Sequence, residues 1–132
     1  LGVTPALTVW RDLLVPGGSM AFTEAVWLRD DPPAEIVEWW TSAYADITDG
    51  ADTRARIEAA GCRTVGSFVL PASAWWDEYY EPMQQRIVEL RARFPDDPVA
   101  SGVAAEAETE IAMFEQYHDW YSYEFFVVQP AA

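Results

Sequence analysis

The chain has 132 residues, 51% of them apolar, enough for one domain with a buried core. Its 22 acidic and 8 basic residues give a formal charge of −14, which repels phosphate backbones and anionic lipid, so neither nucleic acid nor a membrane is an expected partner. No apolar run approaches the roughly 18–20 residues of a membrane span, no signal-peptide pattern opens the sequence, and a single cysteine, Cys62, excludes an internal disulfide; together these favour a cytoplasmic protein.

Thr4 before Pro5 reads as a helix start, and Leu7, Trp10 and Leu14 at helical spacing carry a first helix over residues 5–15 until Pro16 stops it. Gly17 and Gly18 supply a tight reversal, and residues 19–26 follow as a mostly apolar strand. Asp30, Asp31, Pro32 and Pro33 announce a second helix, aspartate as cap and proline in the first turn, with Ile36, Trp40, Ala43 and Tyr44 as its buried stripe. A short helix near residues 53–60 ends at Gly61, and "CRTVGSFVL" reads as a strand closed by Pro71.

Ser73 is placed to cap "AWWDEYYEPMQQRIVELRARF", where Met83, Ile87, Leu90 and Phe94 share a face and Pro82 should kink or split the helix. "PDDP" ends that helix and starts another over about residues 98–119, with Val99, Val103, Phe114, His118 and Tyr121 near one face. The closing "YSYEFFVVQ" is apolar at both alternating sets of positions, as in a strand buried on both faces inside a sheet. About three strands and about five helices make an open α/β sheet, a single domain over residues 1–132 with a helical insertion at about 73–120.

The ordered set "ALTVWRDLLVPGGSMAFTEAVWL", "AEIVEWW", "IEAAGCRTVGSFVLP", "SAWWDEYYEPMQQRIVELRARF" and "YSYEFFVV" resembles the C-terminal half of class I S-adenosylmethionine-dependent methyltransferases. It is most similar to the bacterial small-molecule branch with a helical insertion before the last strand. The resemblance covers essentially the whole chain. It implies the C-terminal part of a Rossmann-like sheet, in which "LL.PGG" leads into the fifth strand and the last strand inserts antiparallel between the fifth and the sixth.

Those enzymes hold the cofactor with a glycine-rich turn after their first strand and an acidic residue ending the second. Neither pattern stands in this sequence, whose glycines are Gly2, Gly17, Gly18, Gly50, Gly61, Gly66 and Gly102. The resemblance therefore implies a fragment: S-adenosylmethionine is the cofactor of the intact enzyme, with no cofactor-binding residue in this chain, and the fragment supplies the side facing a small-molecule methyl acceptor. The alternative is a non-catalytic module of the same architecture that binds a partner or an apolar ligand. Strand 19–26, robbed of a neighbour, is expected to pair with a second copy and give a homodimer or other self-association.

Methyl transfer from a sulfonium needs in-line approach in a site closed to water, with a general base for hydroxyl or carbon acids. Glu24, read as ending its strand where open α/β sheets place ligands, is a candidate to orient an acceptor or take a proton, against the alternative of a solvated or ion-paired glutamate. His118, near Tyr121, is a second candidate base; one histidine without a ligand partner is no metal site. Trp75, Trp76, Tyr79 and Tyr80 are candidate acceptor-pocket walls or simply packing for the insertion, and Trp27 divides between pocket wall and core edge. Tyr121 completes the set of candidate acceptor contacts.

Overall fold

The computed structural model describes residues 2–131, in two compact units: one runs up to Leu70 and resumes at Asp119, and the other is Pro71–His118. The first unit carries a four-stranded sheet. Its strands are β1 (Met20–Trp27), β2 (Thr48–Asp49), β3 (Cys62–Val69) and β4 (Tyr121–Pro130), in the order β2-β1-β4-β3. β4 lies antiparallel between β1 and β3, in register from Met20 opposite Val128 to Trp27 opposite Tyr121 and, past a bulge between Thr64 and Gly66, from Cys62 opposite Pro130 to Val69 opposite Glu124. The expected insertion of the last strand is thus observed. β2, a strand too short to leave a periodic signal, is additional; it runs parallel to the end of β1, Val26 opposite Thr48 and Trp27 opposite Asp49.

Three helices belong to this unit: α1 (Val3–Trp10), α2 (Ala34–Ala43) and α3 (Gly50–Ala59). α1 starts two residues earlier than Thr4 and Pro5 suggest, with Gly2 in the capping position. It ends in a 3-10 turn at Arg11–Leu13, short of residue 15. Gly17, at φ 77°, makes the reversal into β1. α2 starts after both prolines, with Pro33 in the capping position, so neither Asp30 nor Asp31 caps it. α3 begins at Gly50 rather than near residue 53, because Asp49 Oδ1 accepts the Asp52 amide at 2.7 Å and fixes the first turn. Gly61, at φ 74°, turns the chain into β3, and the Arg11 guanidinium fills the space a Cβ would take there while donating to Ala60 O at 2.7 Å.

Alternation along the strands puts Phe22, Phe126, Val128 and Cys62 on the face that α1 and α3 cover with Val3, Leu7, Ile57 and Ala60. Phe22 stacks on Phe126 with ring centroids 5.6 Å apart. On the opposite face, α2 lays Trp40 edge-on against Tyr121, centroids 5.1 Å apart, and Phe68 stacks on Phe125 at 4.8 Å.

The second unit is helical: α4 (Ala72–Trp75), a π-helical turn (Trp76–Tyr80), α5 (Glu81–Arg93) and α6 (Pro98–Tyr117). Pro71, not Ser73, takes the capping position of α4. The break expected from Pro82 is the π turn just ahead of it: a proline lacks the N–H of the helical ladder and crowds the carbonyl four residues back, and a widened turn relieves both. Asp97 caps α6 through the amides of Val99 and Ala100, at 2.8 and 3.1 Å. The buried stripe of α6 is Ala104, Ile111, Phe114 and Tyr117. Val99 and Val103 are exposed, and Tyr121 already belongs to β4. On α5 Ile87 is buried, and Phe94, just past the end of the helix, is exposed. Arg91 holds Glu108 with two bonds, tying α5 to α6. No helix among the described residues is long and apolar enough to cross a membrane.

Candidate functional site

β1 and β2 run parallel and end together, the arrangement at whose carboxyl edge open α/β sheets bind ligands. A cleft of about 450 Å³ opens there between the segment following β1 and the segment leading into β2. Trp27, Arg29, Asp30, Asp31, Ile47 and Asp49 line it. Trp27 is half-buried at the strand's last position, and the Arg29 guanidinium sits 4.0 Å from the Trp120 ring centroid. The mouth is therefore acidic with an aromatic wall.

Glu24 does not end the strand. β1 continues through Ala25 and Val26 to Trp27, so Glu24 is set back from the mouth, on the strand's interior. It lines a separate pocket of about 370 Å³ with Thr23, Trp40, Tyr44 and Tyr123. Burial pushes its carboxyl above the ordinary value of 4.5. The hydrogen bond donated by Tyr44 and the charge of Arg56 offset part of that rise. The Tyr44 phenol is itself raised well above its ordinary value, by burial and then by the Glu24 carboxylate. A carboxyl poised this way, with a phenol donor, is chemically able to give or take a proton. The Trp40 indole N–H nearby is buried without a hydrogen-bond partner among the described residues.

Glu124 was not among the sequence candidates, yet it is the most unusual acid in the chain: 5% exposed, in the central strand, directly opposite Glu24. Arg54 of α3 pairs with it and also donates to Ser67 Oγ at 2.9 Å. Its carboxylate occupies the space a Cβ would take at Gly50, so the first residue of α3 is a glycine because strand and helix meet there. The signal was present in "YSYEFFVV": a lone charge in a strand apolar on both faces must find a buried partner.

In the helical unit, Trp75 and Tyr80 are core residues, 7% and 1% exposed, their rings stacked with centroids 6.2 Å apart and each within contact of Phe114. Tyr79 is on the surface, edge-on to Tyr80. Trp76 and His118 come together from opposite ends of the unit around a pocket of about 410 Å³, with Phe114, Asp77, Glu115 and Ser73. Tyr121, in the sheet unit, is 1% exposed and packs on Trp40.

Among the described residues no cluster of His, Cys, Asp and Glu is arranged to hold a metal ion. Gly50 is the glycine that follows a strand and opens a helix, the position a nucleotide-cradling glycine would hold. Glu124 and Arg54 already fill the space over it, so it does not fit an adenosine or ribose. No step of cofactor binding is assigned to this chain.

No family model matches the sequence, and no curated protein does. Solved structures do. A SAM-dependent methyltransferase from Geobacter sulfurreducens, in complex with S-adenosyl-L-homocysteine, superposes with a TM-score of 0.75 at 22% identity, covering 98% of this chain and 52% of that one. A SAM-dependent methyltransferase from Thiobacillus denitrificans, with the same ligand, gives 0.74 at 20% identity and the same coverage. The [4+2]-cyclase SpnF gives 0.64 at 17% identity, covering 98% of this chain and 44% of that one. The chain spans about half the length of the structures it matches. Its antiparallel last strand between two others, joined to these likenesses, gives it the α/β fold of the class I S-adenosylmethionine-dependent methyltransferases, in the part that carries that fold's C-terminal strands.

Proposed function

We propose that this chain supplies the acceptor-side half of a cytoplasmic S-adenosylmethionine-dependent methyltransferase acting on a small molecule, and that alone it does not bind the cofactor usefully. The observation that carries the reading is the likeness, over 98% of the chain, to methyltransferases crystallised with S-adenosyl-L-homocysteine. In it, Glu24 with Tyr44 forms a proton-handling pair set back from the acidic mouth at Trp27. Calorimetry of the 132-residue chain with S-adenosylmethionine should give no micromolar binding; such binding would mean that the cofactor site is built differently. Labelled methyl transfer by the gene's full reading frame then tests the activity itself.

The second reading, a module of this fold that binds without transferring a methyl group, is favoured by one observation: the same architecture is shared with a protein described as a [4+2]-cyclase. Capture of an apolar ligand with no methyl transfer by the full reading frame would select it.

Self-association is proposed along β1. β2 covers Val26 and Trp27, which leaves the stretch from Met20 to Ala25 without a strand on its second edge among the described residues. Two copies at −14 repel each other, so added salt should strengthen the dimer. Thr23→Lys adds a charge at an exposed edge position and should abolish it, whereas Phe22, packed on the core, is unsuited to the test. A sedimentation profile that is monomeric in high salt, or indifferent to Thr23→Lys, sinks the proposal.

A further inference from the structure

The pocket of the helical unit has a composition that narrows what it would hold. Trp76 and Phe114 stand nearly parallel, 17° apart with centroids at 6.5 Å, and the His118 ring lies 5.6 Å from Phe114. Asp77 and Glu115 flank these rings, both exposed, and neither has an ion-pair partner among the described residues. The unit's three arginines are engaged elsewhere: Arg86 with Glu89, Arg91 with Glu108, and Arg93 over the Phe94 ring. The pocket thus joins the half-buried Trp76 and His118 rings to two carboxylates, with no arginine or lysine in its lining.

Ring faces attract a cation through their quadrupole, and carboxylates add a longer-range pull; an uncharged ligand gains from neither. Trp76 owes its place to the π-helical turn it opens, and such turns are found frequently at functional sites. The chain's formal charge of −14 would draw the same class of ligand toward the protein as a whole.

We propose that this pocket binds an organic cation, an amine carried on an apolar or aromatic body, and that such an amine is the methyl acceptor: it docks as the ammonium, gives its N–H proton to solvent water, and the freed lone pair then forms the N–C bond as the methyl's bond to the sulfonium sulfur breaks and S-adenosyl-L-homocysteine leaves. The second clause rests on the methyltransferase reading above; the first does not.

The probes are 3-phenylpropylamine, its trimethylammonium derivative and the uncharged carbon isostere of that derivative, titrated by NMR into the 132-residue chain. Both cations should bind about five- to tenfold more tightly than the isostere, with shifts confined to Pro71–His118. Asp77→Asn with Glu115→Gln, surface changes that leave the fold intact, should weaken the cations and leave the isostere unchanged. Trp76→Leu should erase the preference. Equal affinity for charged and uncharged probes, or shifts centred on the sheet unit, overturns the cation site. Displacement of the ammonium by S-adenosylmethionine at similar concentration would assign the site to a sulfonium and overturn the acceptor clause. With the full reading frame, methyl transfer to 3-phenylpropylamine supports that clause, and transfer to uncharged acceptors in preference to it overturns the clause alone. Absence of transfer to any acceptor, with cation binding intact, counts against the methyltransferase reading and leaves the pocket's specificity standing.

Discussion

The sheet unit and the helical unit are built on different economies of contact. In the sheet unit every strand joins one hydrogen-bonded register, and α1 and α3 close a single apolar layer over Phe126 and Val128, both 0% exposed. The helical unit has no such layer. Its core is a cluster of rings, Trp75, Tyr80 and Phe114, extended by Ile87, Ala104 and Ile111, and other apolar residues of its helices are left in water: Val88 is 69% exposed and Val99 73%. The difference teaches that a sheet fixes positions through its backbone and leaves side chains to fill space, whereas a short helical pair depends on a few large side chains for both.

The sharpest way to break that contrast is Phe126→Ala, which empties the centre of the apolar layer. It should cost about 3–5 kcal/mol, enough to unfold the sheet unit at moderate urea, and hydrogen exchange should show β1, β3 and β4 losing protection together because all three share β4 as neighbour or member. Persistence of β3 protection alone would mean that the sheet is not one cooperative piece.

Next comes Arg54→Met, which leaves the buried Glu124 without its ion-pair partner. Arg54 is itself partly in water, which lowers the expected cost below that of a fully buried pair, to about 1–3 kcal/mol. Adding Glu124→Gln should recover most of the loss, since the remaining amide is polar but uncharged. A double variant as unstable as Arg54→Met would assign the role to packing instead.

Glu24→Gln should have the smallest effect, and one that depends on pH. The folded-state carboxyl titrates above its unfolded value of 4.5, so the folded chain holds the proton more tightly. The stabilisation from protonation is full below that value and is lost as pH rises through the folded pKa. Glutamine, uncharged throughout, should therefore match the parent in acid and exceed its stability toward neutral pH, as chemical denaturation at a series of pH values would show. A variant less stable than the parent at neutral pH would mean that the Tyr44 hydrogen bond outweighs the burial of charge.

Much of this architecture was legible in the residues. The three long strands announced themselves because Gly17, Gly61 and Pro71 punctuate apolar runs of the right length, and a closing strand apolar on both faces had to lie inside a sheet. What escaped was short or mutual. β2 has two residues and no periodicity, hidden in a polar stretch that also holds the true start of α3. The stripe on α6 was misplaced because the large Val99 and Val103 attract attention while the buried position is the small Ala104. The Glu124–Arg54 pair joins residues 70 apart in the chain, a distance over which no local pattern speaks. Of the site, the meeting of Trp76 with His118 was visible as two separate candidates and only the folded unit shows them around one pocket.

The position of β4 also sets a schedule. β1 and β3 do not touch each other as strands, and each waits for the same late partner: Gln129 bonds to Ser19 across 110 residues of sequence. At a synthesis rate of about 5–20 residues per second, a nascent chain carries β1 unpaired for on the order of 5–20 s before β4 exists. Throughout that interval the apolar "MAFTEAV" edge is exposed in a crowded cell. The chain's strong negative charge, unhelpful to any folded contact it makes with itself, is then an asset, because it keeps neighbouring unfinished copies apart until the last strand arrives.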